Sequence, residues 1–133
     1  MIVEMLVYVL LGIIAVLSLV LLWRLTLDSY LKWSEANRRA NELLRSVLTR
    51  EQYRQLMRHG YLDIPSPRDP ECIYRVPRAQ GLVRVIEQGR RKASLCLQPL
   101  EWVPDADIVV MHKLMIEADE ETYLQIANKL TPI

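Results

Sequence analysis

The sequence has no phenylalanine, four glycines and two cysteines, and between Met5 and Trp23 it has no charged residue at all. Each scarcity excludes a class of chemistry. Cys72 and Cys96 form no CxxC pair, and with only His59 and His112 beside them the chain offers no recognisable metal-ligand spacing, so no metal and no cofactor is expected. With so few glycines there is no GxGxxG, no GxxxxGK[ST] and no GxSxG, and HExxH is also missing. A chain of 133 residues is too short for a multidomain enzyme.

What is present is a long apolar run. Residues 5–23 (MLVYVLLGIIAVLSLVLLW) are interrupted only by Tyr8, Gly12 and Ser18. As a helix rising about 1.5 Å per residue, the run reaches roughly 28 Å, close to a hydrocarbon core of about 30 Å. A cleaved leader would have a basic start, a shorter apolar core and a small-x-small site. Here the start is Met1-Ile2-Val3-Glu4 and the run ends in Trp23-Arg24, so a retained transmembrane anchor over residues 1–23 is expected. No Lys or Arg precedes the run, whereas Arg24, Lys32, Arg38 and Arg39 follow it. That asymmetry places Met1 outside and the remainder in the cytoplasm, in the cell (inner) membrane. Trp23, Tyr30 and Trp33 cluster beyond the run and, with Arg24 and Lys32, read as anchors at headgroup level.

At 100° per residue, Tyr8, Gly12, Ala15, Leu19 and Leu22 fall on one side of this helix with Ser18 at the margin. Small residues allow close approach of another helix, so the stripe is the expected docking face for an integral-membrane partner. Ordinary membrane-helix composition explains it equally, because there is no GxxxG repeat.

Residues 24–48 lack Gly and Pro and are rich in Leu, Ala, Glu and Arg, which predicts that the helix continues as a juxtamembrane stalk. A small α+β domain is expected over 49–133. It opens with a capping box, Thr49-Arg50-Glu51-Gln52, and a short helix carrying Tyr53, Leu56 and Met57 inward and stopping at Gly60. Prolines 65, 67, 70 and 77 then impose loop and extended chain. The alternating stretches 72–76, 82–87 and 93–97 predict a three-stranded antiparallel meander, with Gly81 in the first connection and Gln88-Gly89-Arg90-Arg91 in the second. Cys72 and Cys96, on separate strands, could face each other, and in the cytoplasm both are expected to be reduced. Residues 105–117 fit helical spacing better than a buried strand. Asp119 looks like the cap of a last short helix carrying Tyr123, Leu124, Ile126, Ala127 and Leu130.

Net charge is only +1, but residues 24–92 hold fifteen basic and eight acidic side chains, and residues 93–133 hold two and seven. The basic half includes Arg38, Arg39, Arg45, Arg50, Arg54 and Arg58 on helices and Arg90, Arg91 and Lys92 at a strand turn. Near a cytoplasmic leaflet such charges attract anionic membrane lipid at about 1 kcal/mol each; the alternative is solvated faces paired with the acidic half. The sequence argues against nucleic-acid binding, because aromatic interleaving and an RNP-type strand are missing. Enzymatic readings are thin: Asp105-Ala106-Asp107 matches a metal-holding acidic pair over only three residues, Cys96 with His112 has no third orienting group, and no small-molecule substrate is evident.

An outside N-terminus, one span and a cytoplasmic β-containing domain together resemble, in architecture, single-span accessory subunits of bacterial membrane complexes such as the H subunit of purple bacterial photosynthetic reaction centres. The resemblance implies a non-catalytic accessory or scaffolding role in an assembly of energy-transducing type, and it assigns no residue. The competing expectation is a membrane-tethered adaptor that recruits a soluble partner or nucleic acid through its basic helices.

Overall fold

A computed structural model describes residues 1–130, so the last three residues of the expected 49–133 domain lie outside it. The chain divides into two compact units, Met1–Ala36 and Asn37–Ile133.

The first unit is helical throughout. Helix α1 runs from Ile2 to Val47, and its first 35 residues make up this unit. None of its apolar window is buried by the described residues. The hydroxyls along it are satisfied by the helix itself: Ser18 Oγ donates to the Ile14 carbonyl at 2.8 Å, Thr26 to Leu22 and Trp23, and Ser29 to Leu25. Among the described residues α1 is the one helix long and apolar enough to cross a membrane.

The second unit begins with the end of α1, where the apolar spacing tightens and Ala40 and Leu44, followed by Leu48, become buried. Helix α2 (Arg50–His59) starts as its sequence dictates. Thr49 accepts from the Gln52 amide, and the Gln52 side chain returns to the Thr49 amide. It stops at Gly60, whose φ of 75° is the left-handed conformation that lets its amide cap the Leu56 carbonyl.

Five strands follow in a single antiparallel sheet whose spatial order is the chain order: β1 (Tyr61–Pro65), β2 (Cys72–Pro77), β3 (Val83–Glu87), β4 (Arg90–Cys96) and β5 (Asn128–Leu130). The expected three-stranded meander is therefore the centre of a larger sheet. β1 adds to one edge, and β5 pairs with the far side of β4 after two helices, α3 (Asp105–Ala118) and α4 (Glu120–Ile126). Residues 105–117 are helical, as the spacing favours. Asp119 caps α4 through the Thr122 amide, but the helix ends at Ile126 and Leu130 lies in β5. The second connection is shorter than expected: Gln88 (φ 50°) and Gly89 (φ 75°) form a two-residue turn, so Arg90 and Arg91 already belong to β4.

Period-two alternation sends Leu62, Ile64, Cys72, Tyr74, Val76, Val83, Val85, Ala93 and Leu95 to one face. Against them pack Leu44, Leu48, Leu56, Val109, Ile116 and Tyr123 in one core. The opposite face carries Tyr61, Asp63, Ile73, Arg75, Arg84, Ile86, Arg91 and Ser94, and among the described residues no helical side chain lines its cleft. Such one-sided cover is the normal solution for an antiparallel sheet.

Candidate functional site

The open sheet face is the place where the fold gathers charge. Registers set Asp63 opposite Arg75 and Arg75 opposite Arg84 across β1, β2 and β3, and Arg84 opposite Ser94 on β4. Arg75 is held from two sides. Its Nε and terminal nitrogen donate to the two Asp63 oxygens at 2.7 and 2.8 Å, and its guanidinium lies 4.0 Å from the centre of the Tyr61 ring. The bidentate carboxylate raises the affinity of this guanidinium for its proton.

Between Val85–Ile86 and β4 the register shifts by one residue. This bulge turns Lys92 to the helix side beside Ala93, where Lys92 Nζ bonds Glu87 at 2.7 Å, and leaves Arg91 on the open face opposite Ile86. Arg75, Arg84 and Arg91 consequently line one cleft of about 370 Å³, walled by Tyr61, Pro77 and Leu82. Asp63 is the sole acidic side chain on this face among the described residues, and it is committed to Arg75.

A second polar cluster lies inside the core. Glu120, in the first turn of α4 and 7% exposed, accepts from Ser66 Oγ at 2.6 Å, Tyr74 OH at 2.5 Å and the Arg68 amide at 3.2 Å. The Tyr123 hydroxyl pairs with His112 Nδ1 at 2.9 Å, and the Tyr123 ring meets both Tyr74 and His112 edge-on. Burial lowers His112 to about 4, so it is neutral at pH 7, and burial holds both tyrosines far above the phenol range, helped at Tyr74 by Glu120. Cys72 borders a shallower cleft of about 300 Å³ next to this cluster; desolvation, with Asp69, Glu120 and Glu87 nearby, pushes its thiol up and away from nucleophilic use.

The residues singled out in the sequence scatter over both units. Tyr8, Gly12, Ala15, Ser18, Leu19 and Leu22 lie along α1 and all are exposed, as are Trp23, Arg24, Tyr30, Lys32 and Trp33. A Cβ added at Gly12 would meet nothing. Lys32 pairs with Asp28 one turn earlier at 2.8 Å, which raises its ammonium pKa. Arg38 pairs with Glu42, and Arg39 is exposed. Arg45 bonds the Tyr53 hydroxyl and covers its ring. Arg50, Arg54 and Arg58 form an exposed stripe one turn apart along α2. Arg90, Arg91 and Lys92 do not act as one patch, because the bulge splits them.

Asp105 and Asp107 sit in the first turn of α3. Both cysteines are free and lie on opposite faces of the sheet, Cys72 inward and Cys96 outward, so they do not face each other. His112 is bonded to Tyr123, not to Cys96. No group of three or more His, Cys, Asp or Glu that could hold a metal occurs among the described residues. Arg75, Arg84, Asp63 and the Glu120 cluster were not anticipated. Alternation alone would have put Arg75 and Arg84 on one face, since Tyr74, Val76, Val83 and Val85 flank them.

Compared with known proteins, the chain matches no family model, no curated protein and no solved structure.

Proposed function

We propose that this protein is a non-catalytic accessory subunit of a larger integral-membrane assembly. Residues 5–23 are its single span in the cell membrane, Met1 is outside, and the α+β domain lies in the cytoplasm, where it caps the assembly. The observation that carries this reading is an apolar stretch with no cover of its own on a chain whose domain has a core without it. Each aliphatic side chain left in water forgoes about 1.5–3 kcal/mol, so a stretch of this length calls for lipid or a partner helix. The stripe of Tyr8, Gly12, Ala15, Leu19 and Leu22 supplies the lateral contact. Supporting a non-catalytic role, His112 and Tyr123, whose acidities are strongly displaced, are spent on each other inside the core.

The test is native purification of the tagged chain from its own membranes in mild detergent, after alkaline carbonate washing. Retention in the membrane and stoichiometric comigration with integral-membrane proteins are expected, and the comigration alone is weakened in Gly12→Leu or Ala15→Leu. Release by carbonate removes the span, and migration alone removes the subunit role. The exposed stripe Arg50, Arg54 and Arg58 favours a second reading, a tethered adaptor. Like charges one turn apart cost the helix roughly 0.2–0.5 kcal/mol per pair, a cost that an acidic soluble partner would reverse. Reversing these three charges abolishes capture of a soluble partner if that reading is right, and leaves it intact if it is wrong.

A further inference from the structure

We propose that the cleft on the open sheet face binds a phosphate group, held by the guanidinium groups of Arg84 and Arg91. Three features of the fold converge on this. First, Arg75 and Arg84 stand directly opposite each other on β2 and β3, an arrangement of like charges that destabilises a sheet unless something neutralises it. The one carboxylate on the face is already used, since both Asp63 oxygens are bonded to Arg75. Second, Arg84 and Arg91 have no ion pair among the described residues. Several other cations of the second unit are ion-paired: Arg38 to Glu42, Arg68 to Glu121, Lys92 to Glu87 and Lys113 to Glu117. Third, the bulge in β4 separates Lys92 from Arg91 and delivers Arg91 into the cleft that Arg84 lines.

The geometry selects the ligand chemistry. Three guanidinia against one carboxylate leave the face with two uncompensated positive charges, which match a phosphate monoester dianion; inorganic pyrophosphate presents the same terminal group with further negative charge. Two planar forks from different strands suit a tetrahedral group with several oxygens better than a single flat carboxylate. Arg75, fixed over Tyr61, is a preformed wall that adds positive potential without moving. The same chemistry is offered by a free phosphate compound and by an anionic lipid headgroup, the second source resting on the proposed membrane span.

Hydrogen exchange of Val83–Cys96 in the full-length chain tests this at constant ionic strength. In zwitterionic detergent the probe is inorganic pyrophosphate against sodium chloride; in lipid nanodiscs it is phosphatidic acid in phosphatidylcholine against phosphatidylcholine alone. Slowed exchange with pyrophosphate assigns a free phosphate ligand, and slowing only with phosphatidic acid assigns a headgroup. Arg84→Gln and Arg91→Gln each weaken the effect tenfold or more, and Arg84→Lys, which keeps charge but loses the fork, falls between. Asp63→Asn tightens binding severalfold, a gain that misfolding cannot imitate. No slowing in either arm, slowing that survives in the Arg84→Gln/Arg91→Gln double variant, or weakening in Asp63→Asn overturns the proposal. The pyrophosphate arm requires no bilayer, so its failure is distinct from a failure of the membrane reading.

Discussion

The Tyr74 hydroxyl, on the middle of β2, donates a 2.5 Å hydrogen bond to Glu120 at the start of α4, 46 residues away. The same carboxylate collects Ser66 Oγ and the Arg68 amide from the β1–β2 connection. One buried side chain thus ties the sheet, a loop and the last helix together, and each of its two carboxylate oxygens has at least one donor. Glu120 also sits at the positive end of α4, where a carboxylate is favoured.

Removing one partner of this cluster takes a hydrogen bond from a buried polar group that water does not reach, so the cost exceeds that of a surface substitution. Tyr74→Phe is expected to destabilise the domain by about 1.5–3 kcal/mol, the range for a hydrogen bond to a charged group. Glu120→Ala, which strands two hydroxyls, is expected to cost more. Denaturant unfolding in detergent, followed by near-ultraviolet circular dichroism, measures both. The Tyr74→Phe/Glu120→Ala double variant then costs clearly less than the sum of the two, because the residues share one interaction. Strict additivity would show that the bond contributes nothing.

His112 gives the domain an acid-sensitive element. It is neutral and buried in the fold at about 4, against an ordinary value of 6.5. A base whose pKa is lowered by folding contributes its full stability above pH 6.5; between 6.5 and 4 the unfolded chain takes up the proton first, and stability falls as pH falls. The loss over that window is about 3 kcal/mol. Unfolding free energies at pH 7.5 and 4.5 therefore differ less in His112→Gln than in the natural sequence, which cancels the contribution of carboxylates common to both. Equal pH dependence in the two chains would refute the neutral buried imidazole.

Gly60 and Gly89 both have a φ of 75° with open space where a Cβ would go. Alanine there meets no neighbour, so its cost is purely the left-handed backbone, about 1 kcal/mol. Gly12→Ala, on a helix and equally open, is expected to leave the domain's midpoint unchanged. Thermal unfolding of the three variants separates backbone strain from steric crowding: a cost at Gly12 equal to that at Gly60 would contradict it.

Local signals were readable where one short stretch determines its own structure. Thr49, Gln52 and Gly60 specify both ends of α2 within twelve residues, and the alternation of Tyr74–Val76 and Val83–Val85 marks the central strands. β1 is harder to see because Tyr61-Leu62-Asp63-Ile64-Pro65 ends in a proline and runs into a proline-rich loop; an edge strand tolerates that residue where a central one would not. β5 is three residues, Asn-Lys-Leu, with little strand preference of their own, and it forms because β4 presents an unpaired edge. The sites depend on longer range still. In sequence Glu120 resembles a helix-dipole residue, and nothing near it announces Ser66 or Tyr74. The single-residue bulge that sorts Arg91 from Lys92 likewise depends on β3, not on the basic run itself.

The proposed span and its orientation are tested by labelling, and the fold dictates which cysteine to use. Cys72 is buried with its thiol pushed up, so a failure to react would report burial and not sidedness. Glu101 lies on the exposed β4–α3 connection, and Ile2 is three-quarters exposed. In a Cys72→Ser/Cys96→Ser background, Ile2→Cys is expected to react with a membrane-impermeant maleimide in intact cells. Glu101→Cys is expected to react only after the membrane is opened. The lysine and arginine imbalance around residues 5–23 is the reason for this assignment, since positive flanks are retained on the cytoplasmic side. The reverse pattern would place the α+β domain outside. It would then remove the anionic cytoplasmic leaflet as the source of a phosphate headgroup for Arg84 and Arg91, leaving a soluble phosphate compound as the ligand.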